Sequence, residues 1–106
     1  MQGHYLKFIV QEKERNQGLP LYDWLLKEAC KLGLPGGSAF RAIAGFGHSG
    51  VLHDAAFIEL AGEEPVEVVF ALTDADKTRL LNHLQQQNLS LFYVSIPAEF
   101  GHLGRA

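Results

Sequence analysis

The sequence predicts one α+β domain in which two helices cover one face of a four-stranded antiparallel sheet. Three observations lead to this prediction. The chain has 106 residues, enough for one hydrophobic core but not for two. Two segments place apolar residues at helical spacing, and four others are short and rich in β-favouring residues. These segments follow one another as strand, helix, strand, strand, helix, strand.

The first half of the chain contains a strand, a helix and a second strand. Residues 5–12 alternate and are rich in Leu, Phe, Ile and Val, and residues 13–18 form a polar loop. The helix starts at Pro20, whose missing N–H costs nothing at the first helical position, and Gly33 ends it in the left-handed conformation. The second strand is 38–44. One helical face is apolar: Leu21, Trp24, Leu25, Ala29 and Leu32.

A glycine-rich stretch follows the second strand. Residues 45–50 contain three glycines, so a persistent helix or strand is not expected there. Residues 51–64 show no clear period. Together with the glycines, this predicts a mobile loop from 47 to 64. Residues 65–72 form the strongest strand in the sequence, because they combine several valines with Phe70.

The second helix and the last strand complete the pattern. Thr73 caps the helix, two carboxylates in the first turn favour the helix dipole, and Asn88 ends the helix. Its buried stripe is Leu80, Leu81 and Leu84. The last strand is 91–96, stopped by Pro97. This order is the split βαβ arrangement of ferredoxin-like two-layer sandwiches, written βαββαβ.

The third and fourth strands are apolar on both sides, although two helices can cover only one face of the sheet. Val66, Val68 and Phe70 lie opposite Val69 and Ala71, and Phe92, Val94 and Ile96 lie opposite Leu91 and Tyr93. A second subunit over the open face explains this pattern. The alternative is a scatter of exposed apolar residues, which is common on protein surfaces.

Composition excludes several classes of function. The net charge of −3, from nine basic and twelve acidic residues, does not suit a nucleic-acid binder. The apolar runs are shorter than the ~20 residues that a membrane span requires. Cys30 is the single cysteine, so a reducing cytoplasm is the expected location, and its helical position predicts a small core residue.

Short motifs follow one another in a fixed order between residues 20 and 65, within a resemblance to known proteins that runs from about residue 6 to residue 96. They are a helix start, two glycine-rich turns, a histidine and a proline before the third strand: Pro20-Leu21-Tyr22, Gly33-Leu34-Pro35-Gly36-Gly37-Ser38, Gly45-Phe46-Gly47, His53 and Pro65. This set resembles the PII superfamily of signalling proteins and, more closely, the PII-like domain-of-unknown-function family one hundred and ninety. The resemblance implies a trimer whose open sheet faces pack together, an adenine nucleotide between subunits, and a loop that contacts partner proteins.

The resemblance also implies where the ligand binds. Ser38 matches a position near the base, and the turn from Gly45 to Gly47 matches one whose N–H groups face the ligand. Glycine suits such a turn because the backbone must approach closely. The implied ligand-binding residues are Gly37, Ser38, Arg41, Gly45, Phe46, Gly47, His48 and Ser49. The implied partner loop includes Gly50, Val51, Leu52, His53 and Asp54.

Two features of the sequence bear on which ligand is expected to bind. Classical PII proteins have a glycine-rich loop with a lysine before the last strand, whereas residues 85–90 here contain neither Gly nor Lys. AMP or ADP is therefore expected to bind at least as well as ATP. Arg41 points to the side of its strand opposite Phe40. On a face between subunits it is expected either to be a buried ion-pair partner or to reach a ligand phosphate.

Catalysis is not expected, because the sequence shows no defined acid–base or nucleophile–base spacing. No resident cofactor or metal is expected either, and the loop histidines are read as solvated side chains. The leading hypothesis is thus a regulatory binding protein. The alternatives are an oligomeric interaction protein that binds no nucleotide and a small ferredoxin-like enzyme that uses His48, His53 and Asp54.

Overall fold

A computed structural model describes residues 1–46 and 64–105 of the chain. Within these residues there are six strands and two helices. In chain order they are β1 (Gln2–Gln11), β2 (Arg15–Asn16), β3 (Leu19–Pro20), α1 (Leu21–Lys31), β4 (Ser38–Arg41), β5 (Pro65–Thr73), α2 (Asp74–Gln85) and β6 (Phe92–Glu99).

The main sheet has the strand order β4-β5-β1-β6, and all neighbouring pairs are antiparallel. Both helices contact β1 and β5, the two central strands. The predicted ferredoxin-like α+β fold is confirmed. Among the described residues, no helix is long and apolar enough to cross a membrane.

The core lies between the sheet and the helices. Even-numbered residues of β1 and β5 point toward the helices because side chains alternate along a strand. Phe8 and Phe70 meet edge to face with ring centroids 6.3 Å apart. The buried core consists of Leu6, Phe8, Val10, Leu21, Trp24, Leu25, Ala29, Val66, Val68, Phe70, Leu72, Leu80 and Leu84.

Both helices end close to the predicted residues. Pro20 is the N-cap of α1 and not its first residue, and Gly33 has the predicted left-handed conformation, with φ +76°. Thr73 caps α2 as predicted, since its hydroxyl accepts a hydrogen bond from the Asp76 N–H. The α2 helix ends at Gln85, three residues before the predicted end at Asn88.

The odd-numbered residues of β1 and β5 form the opposite face, which we call the open face. According to the strand register, most side chains of this face have apolar neighbours on the adjacent strands. Its apolar members are Tyr5, Ile9, Phe40, Val69, Ala71, Phe92, Val94 and Ile96. Five of them are exposed, namely Tyr5, Phe40, Ala71, Phe92 and Ile96. The second apolar face inferred from the sequence is therefore present.

The prediction that Pro97 stops the last strand is wrong, because β6 continues to Glu99. Met1 and Phe100 exchange two backbone hydrogen bonds, of 2.7 and 3.0 Å. Such pairs alternate along an antiparallel ladder, which puts the His4–Pro97 pair at a non-hydrogen-bonded position. The Pro97 nitrogen therefore faces the free edge of the sheet, where no N–H is required.

Three further expectations are corrected. The second strand ends at Arg41 and not at residue 44. The polar loop is not wholly irregular, because it contains β2, which pairs with β3 just after the loop in a short hairpin. Cys30 is exposed and not in the core. Leu21, Leu25 and Ala29 repeat at four-residue spacing along the buried face of α1, so Cys30 is turned about 100° away from it.

Candidate functional site at the β4 edge

The turn between α1 and β4 brings the backbone against the core. A Cβ atom at Gly37 would lie 2.5 and 2.8 Å from two ring carbons of Phe70 and 3.2 Å from Leu26. No side chain other than hydrogen fits there without displacing Phe70. Gly36 has no atom within 4 Å of its Cβ position. The two glycines therefore differ in role, and Gly37 is the one that packing requires.

An apolar pocket of about 310 Å³ opens beside this turn. The C-terminal half of α1 forms one wall, and the turn with Phe70 forms the other. The lining includes Leu26, Ala29, Cys30, Leu34, Gly37 and Phe70. Among the predicted ligand residues that the structure describes, Gly37 is the one that lines this pocket.

The strand β4 lies at the edge of the sheet and presents its side chains to two faces. Ser38 pairs with Val69 and Phe40 with Glu67, so both point to the open face. Arg41 pairs with Val66 and points to the helix side. A ligand that contacts both Ser38 and Arg41 must therefore reach both faces of the sheet at β4.

Arg41 is held by two carboxylates. Its Nε and Nη2 atoms donate to the two oxygens of Glu12, each at 2.6 Å, and Nε also lies 2.8 Å from Glu64 Oε2. The Arg41 side chain is 55% exposed. Arg41 therefore forms a half-exposed ion pair within one chain, whereas the expected ion pair is a buried one on a face between subunits.

This cluster shifts the ionisation of its members. The hydrogen bonds from Arg41 lower the pKa of the Glu12 carboxyl below its ordinary value of 4.5, and partial burial opposes the shift. The same bonds with Glu12 raise the pKa of Arg41 further above its ordinary range. Glu12 and Arg41 are therefore both charged at neutral pH.

Backbone hydrogen bonds join the same three places in the chain. The Glu12 N–H donates to the Glu64 carbonyl at 2.9 Å, and the Ala42 N–H donates to the Pro65 carbonyl at 2.8 Å. Gly45 lies nearby, since its Cβ position is 3.4 Å from Pro65 Cγ. The ends of β1 and β4 and the start of β5 thus form one connected site, which we call the Arg41 cluster.

The structure places five of the predicted ligand residues along one edge. Gly37 and Ser38 lie at the start of β4, Arg41 at its end, and Gly45 and Phe46 just beyond, with Phe46 69% exposed. The remaining predicted residues, Gly47, His48, Ser49, Gly50, Val51, Leu52, His53 and Asp54, lie outside the described residues. So does the predicted mobile loop, apart from Glu64.

Sequence reasoning missed both partners of Arg41. Glu12 is 29 residues away, and Glu64 lies beyond the glycine-rich stretch, so no local spacing links them. It also missed the pocket beside Gly37. Across residues 1–46 and 64–105, no group of three or more His, Cys, Asp or Glu side chains is arranged to hold a metal ion.

Comparison with known proteins places the chain in a family. Residues 3–94 match the family DUF190, described as "Uncharacterized ACR". A UPF0166 protein of Aquifex aeolicus (strain VF5) is 30% identical over 86 residues, which cover 81% of this chain and 82% of the relative. The matched region contains α1, the β4 edge and the Arg41 cluster.

Proposed function

Since the chain belongs to the DUF190 family of PII-like proteins, we propose that it is a regulatory binding protein that works as a homotrimer. In this proposal the trimer binds a small molecule, with adenine nucleotides as the first candidates, and presents residues 47–64 to a partner protein. The single observation that favours this proposal most is the open face, because another subunit packed against it would remove its exposed apolar side chains from water.

The open face suits assembly by its composition and shape. Phe40 on one outer strand and Phe92 on the other stand out from the sheet, whereas Val69 between them is buried. Contiguous exposed apolar surface of this kind is typical of an interface between subunits. The β4 and β6 halves of the face differ, and pairing unlike halves head to tail produces a closed ring when the rotation between neighbouring subunits is one third of a turn.

The β4 edge suits a ligand that contacts backbone more than side chains. In this proposal the ligand approaches the backbone at Gly45, where no Cβ stands in the way, and Ser38 adds a hydroxyl on the open face. A phosphate approaching Arg41 must compete with Glu12 and Glu64, which already occupy its guanidinium. This competition and the absence of Gly and Lys in 85–90 favour a ligand with fewer negative charges than ATP.

The same occupancy of Arg41 supports a second candidate. If the guanidinium serves only to hold Glu12 and Glu64, the protein is an oligomeric interaction protein that binds no nucleotide. The two candidates share the trimer and differ only in the ligand.

Sedimentation equilibrium tests the trimer, and titration calorimetry tests the ligand. We expect a trimer at micromolar concentration, which Val94→Asp disrupts, because Val94 lies on the open face and an unpaired carboxylate there is costly to bury. Asn82→Asp, at an exposed position of α2, is the control. A wild-type monomer rules out the trimer. A trimer that gives no heat with AMP, ADP or ATP leaves the second candidate.

A further inference from the structure

One ion pair lies in the middle of the open face. Lys7 on β1 and Glu67 on β5 approach to 3.6 Å, from Nζ to Oε1, and their side chains are 26% and 37% exposed. Both residues belong to the two central strands of the sheet. Along the four strands as the structure describes them, they are the only charged side chains that point to this face.

The strand register surrounds each charge with apolar side chains. Lys7 lies between Val69 and Val94 on the neighbouring strands. Glu67 lies between Ile9 and Phe40. A surface that covers the apolar side chains therefore also covers the ion pair.

Covering the pair changes its energetics. In water, an exposed pair at this distance contributes little to stability. Once water is removed, the pair is tolerated because each charge has a partner, whereas one charge without its partner is strongly destabilising. The partner surface must therefore bring no charge that lacks a counter-charge of its own.

We infer that the Lys7–Glu67 pair makes the open face selective for a second copy of this chain. A second copy presents the same apolar side chains, and its two charges on this face are already paired with each other. An acidic or basic partner surface would compete for Lys7 or Glu67 and leave the other member unpaired under the interface. This inference rests on the proposed trimer and names the residues that give it specificity.

Charge reversal tests the inference. We would compare wild type, Lys7→Glu, Glu67→Lys and the double variant K7E/E67K by sedimentation equilibrium. Each single reversal puts two like charges under the interface, so the dissociation constant is expected to rise roughly 100-fold or more. The double variant restores an ion pair and is expected to assemble like the wild type.

Lys27→Glu is the matched control. It makes the same charge change and breaks the Lys27–Asp23 pair of 2.6 Å, but it lies on α1, in the helix layer. Circular dichroism verifies that every variant is folded, and the double variant separates a lost interface from a lost fold. We expect Lys27→Glu to assemble like the wild type.

The possible results of these measurements distinguish a failure of this inference from a failure of the proposed trimer. A monomeric wild type overturns the trimer and the inference together. A trimeric wild type whose single reversals also assemble normally overturns the inference and leaves the trimer. Failure of the double variant to assemble, although it is folded, also overturns the inference.

Discussion

The guanidinium of Arg41 on β4 donates two parallel hydrogen bonds, of 2.6 Å each, to the carboxylate of Glu12 at the end of β1. The two residues are 29 positions apart, and Glu64 joins them on the same guanidinium nitrogen. The cluster lies where β1 and β4 end and β5 begins. An interaction at this point fixes three chain segments relative to one another, and its loss affects all three.

Replacing Arg41 by Gln should therefore lower the free energy of unfolding by about 1 kcal/mol, a modest amount because the side chain is half exposed. It should also speed amide exchange at Ala42, whose N–H donates to Pro65. Urea unfolding and hydrogen exchange measure the two effects. Lys27→Gln breaks a pair within one helix and is the control. Equal effects of both variants would mean that the Arg41 cluster is not special.

Glu28 predicts a pH dependence. Its carboxylate lies 3.0 Å from His83 Nε2 on α2 and 3.1 Å from Lys31 Nζ. The hydrogen bond with His83, followed by that with Lys31, lowers the pKa of Glu28 below its ordinary value of 4.5. The unfolded chain therefore takes up this proton first, so the stabilisation is complete above pH 4.5 and is lost as the pH falls through the lower folded pKa.

Glu28→Gln should remove the loss of stability that protonation of Glu28 causes in acid. Its free energy of unfolding should be lower than that of the wild type at pH 7, and the gap should narrow steadily below pH 4.5. Chemical unfolding at a series of pH values measures the gap. Glu99→Gln makes the same charge change at an exposed position of β6. A gap for Glu28→Gln that stays constant from pH 7 to the acid range would contradict the prediction.

The two adjacent glycines before β4 should respond differently to the same substitution. Gly37→Ala forces a Cβ against the buried Phe70 ring and should cost about 1–3 kcal/mol. Gly36→Ala meets no atom and should leave stability unchanged or raise it by a few tenths of a kcal/mol, because it restricts the unfolded chain. Thermal unfolding of the pair decides this. Equal melting temperatures would show that Phe70 yields at little cost.

Gly45→Ala should weaken nucleotide binding without affecting the fold. The new Cβ has its nearest neighbour at 3.4 Å, an ordinary contact, so stability should be unchanged. A ligand that approaches the backbone at this turn would meet the added methyl group, and affinity for AMP or ADP should fall about tenfold, or 1.4 kcal/mol. Titration calorimetry measures it.

Gly101→Ala, whose Cβ position is open, is the control for that experiment. In the wild type, AMP and ADP should bind at least as well as ATP, because each charge-assisted hydrogen bond absent from 85–90 removes about 1.5–3 kcal/mol. Tighter binding of ATP than of AMP and ADP would contradict this. Unchanged affinity in Gly45→Ala would place the ligand elsewhere.

Local pattern was enough to predict the helices and the strong strands. In α1, the four-residue spacing of Leu21, Leu25 and Ala29 identifies the buried face. In β5, alternation puts Val66 and Val68 on one side and Val69 on the other. Ends were predicted less well, because they depend on contacts outside the segment. The last strand, for example, continues past Pro97 because Phe100 pairs with Met1, at the other end of the chain.

The sequence by itself determined the fold class, the two-sided apolar sheet and the glycine positions near the predicted site, because each depends on residue type and spacing over a few positions. Only the tertiary structure decided that Arg41 meets Glu12 and Glu64, that Ser38 and Arg41 face opposite sides, and that Lys7 and Glu67 pair at the centre of the open face. These relationships depend on which strands become neighbours and in what register. That choice is made by the packing of the whole core, and no local pattern contains it.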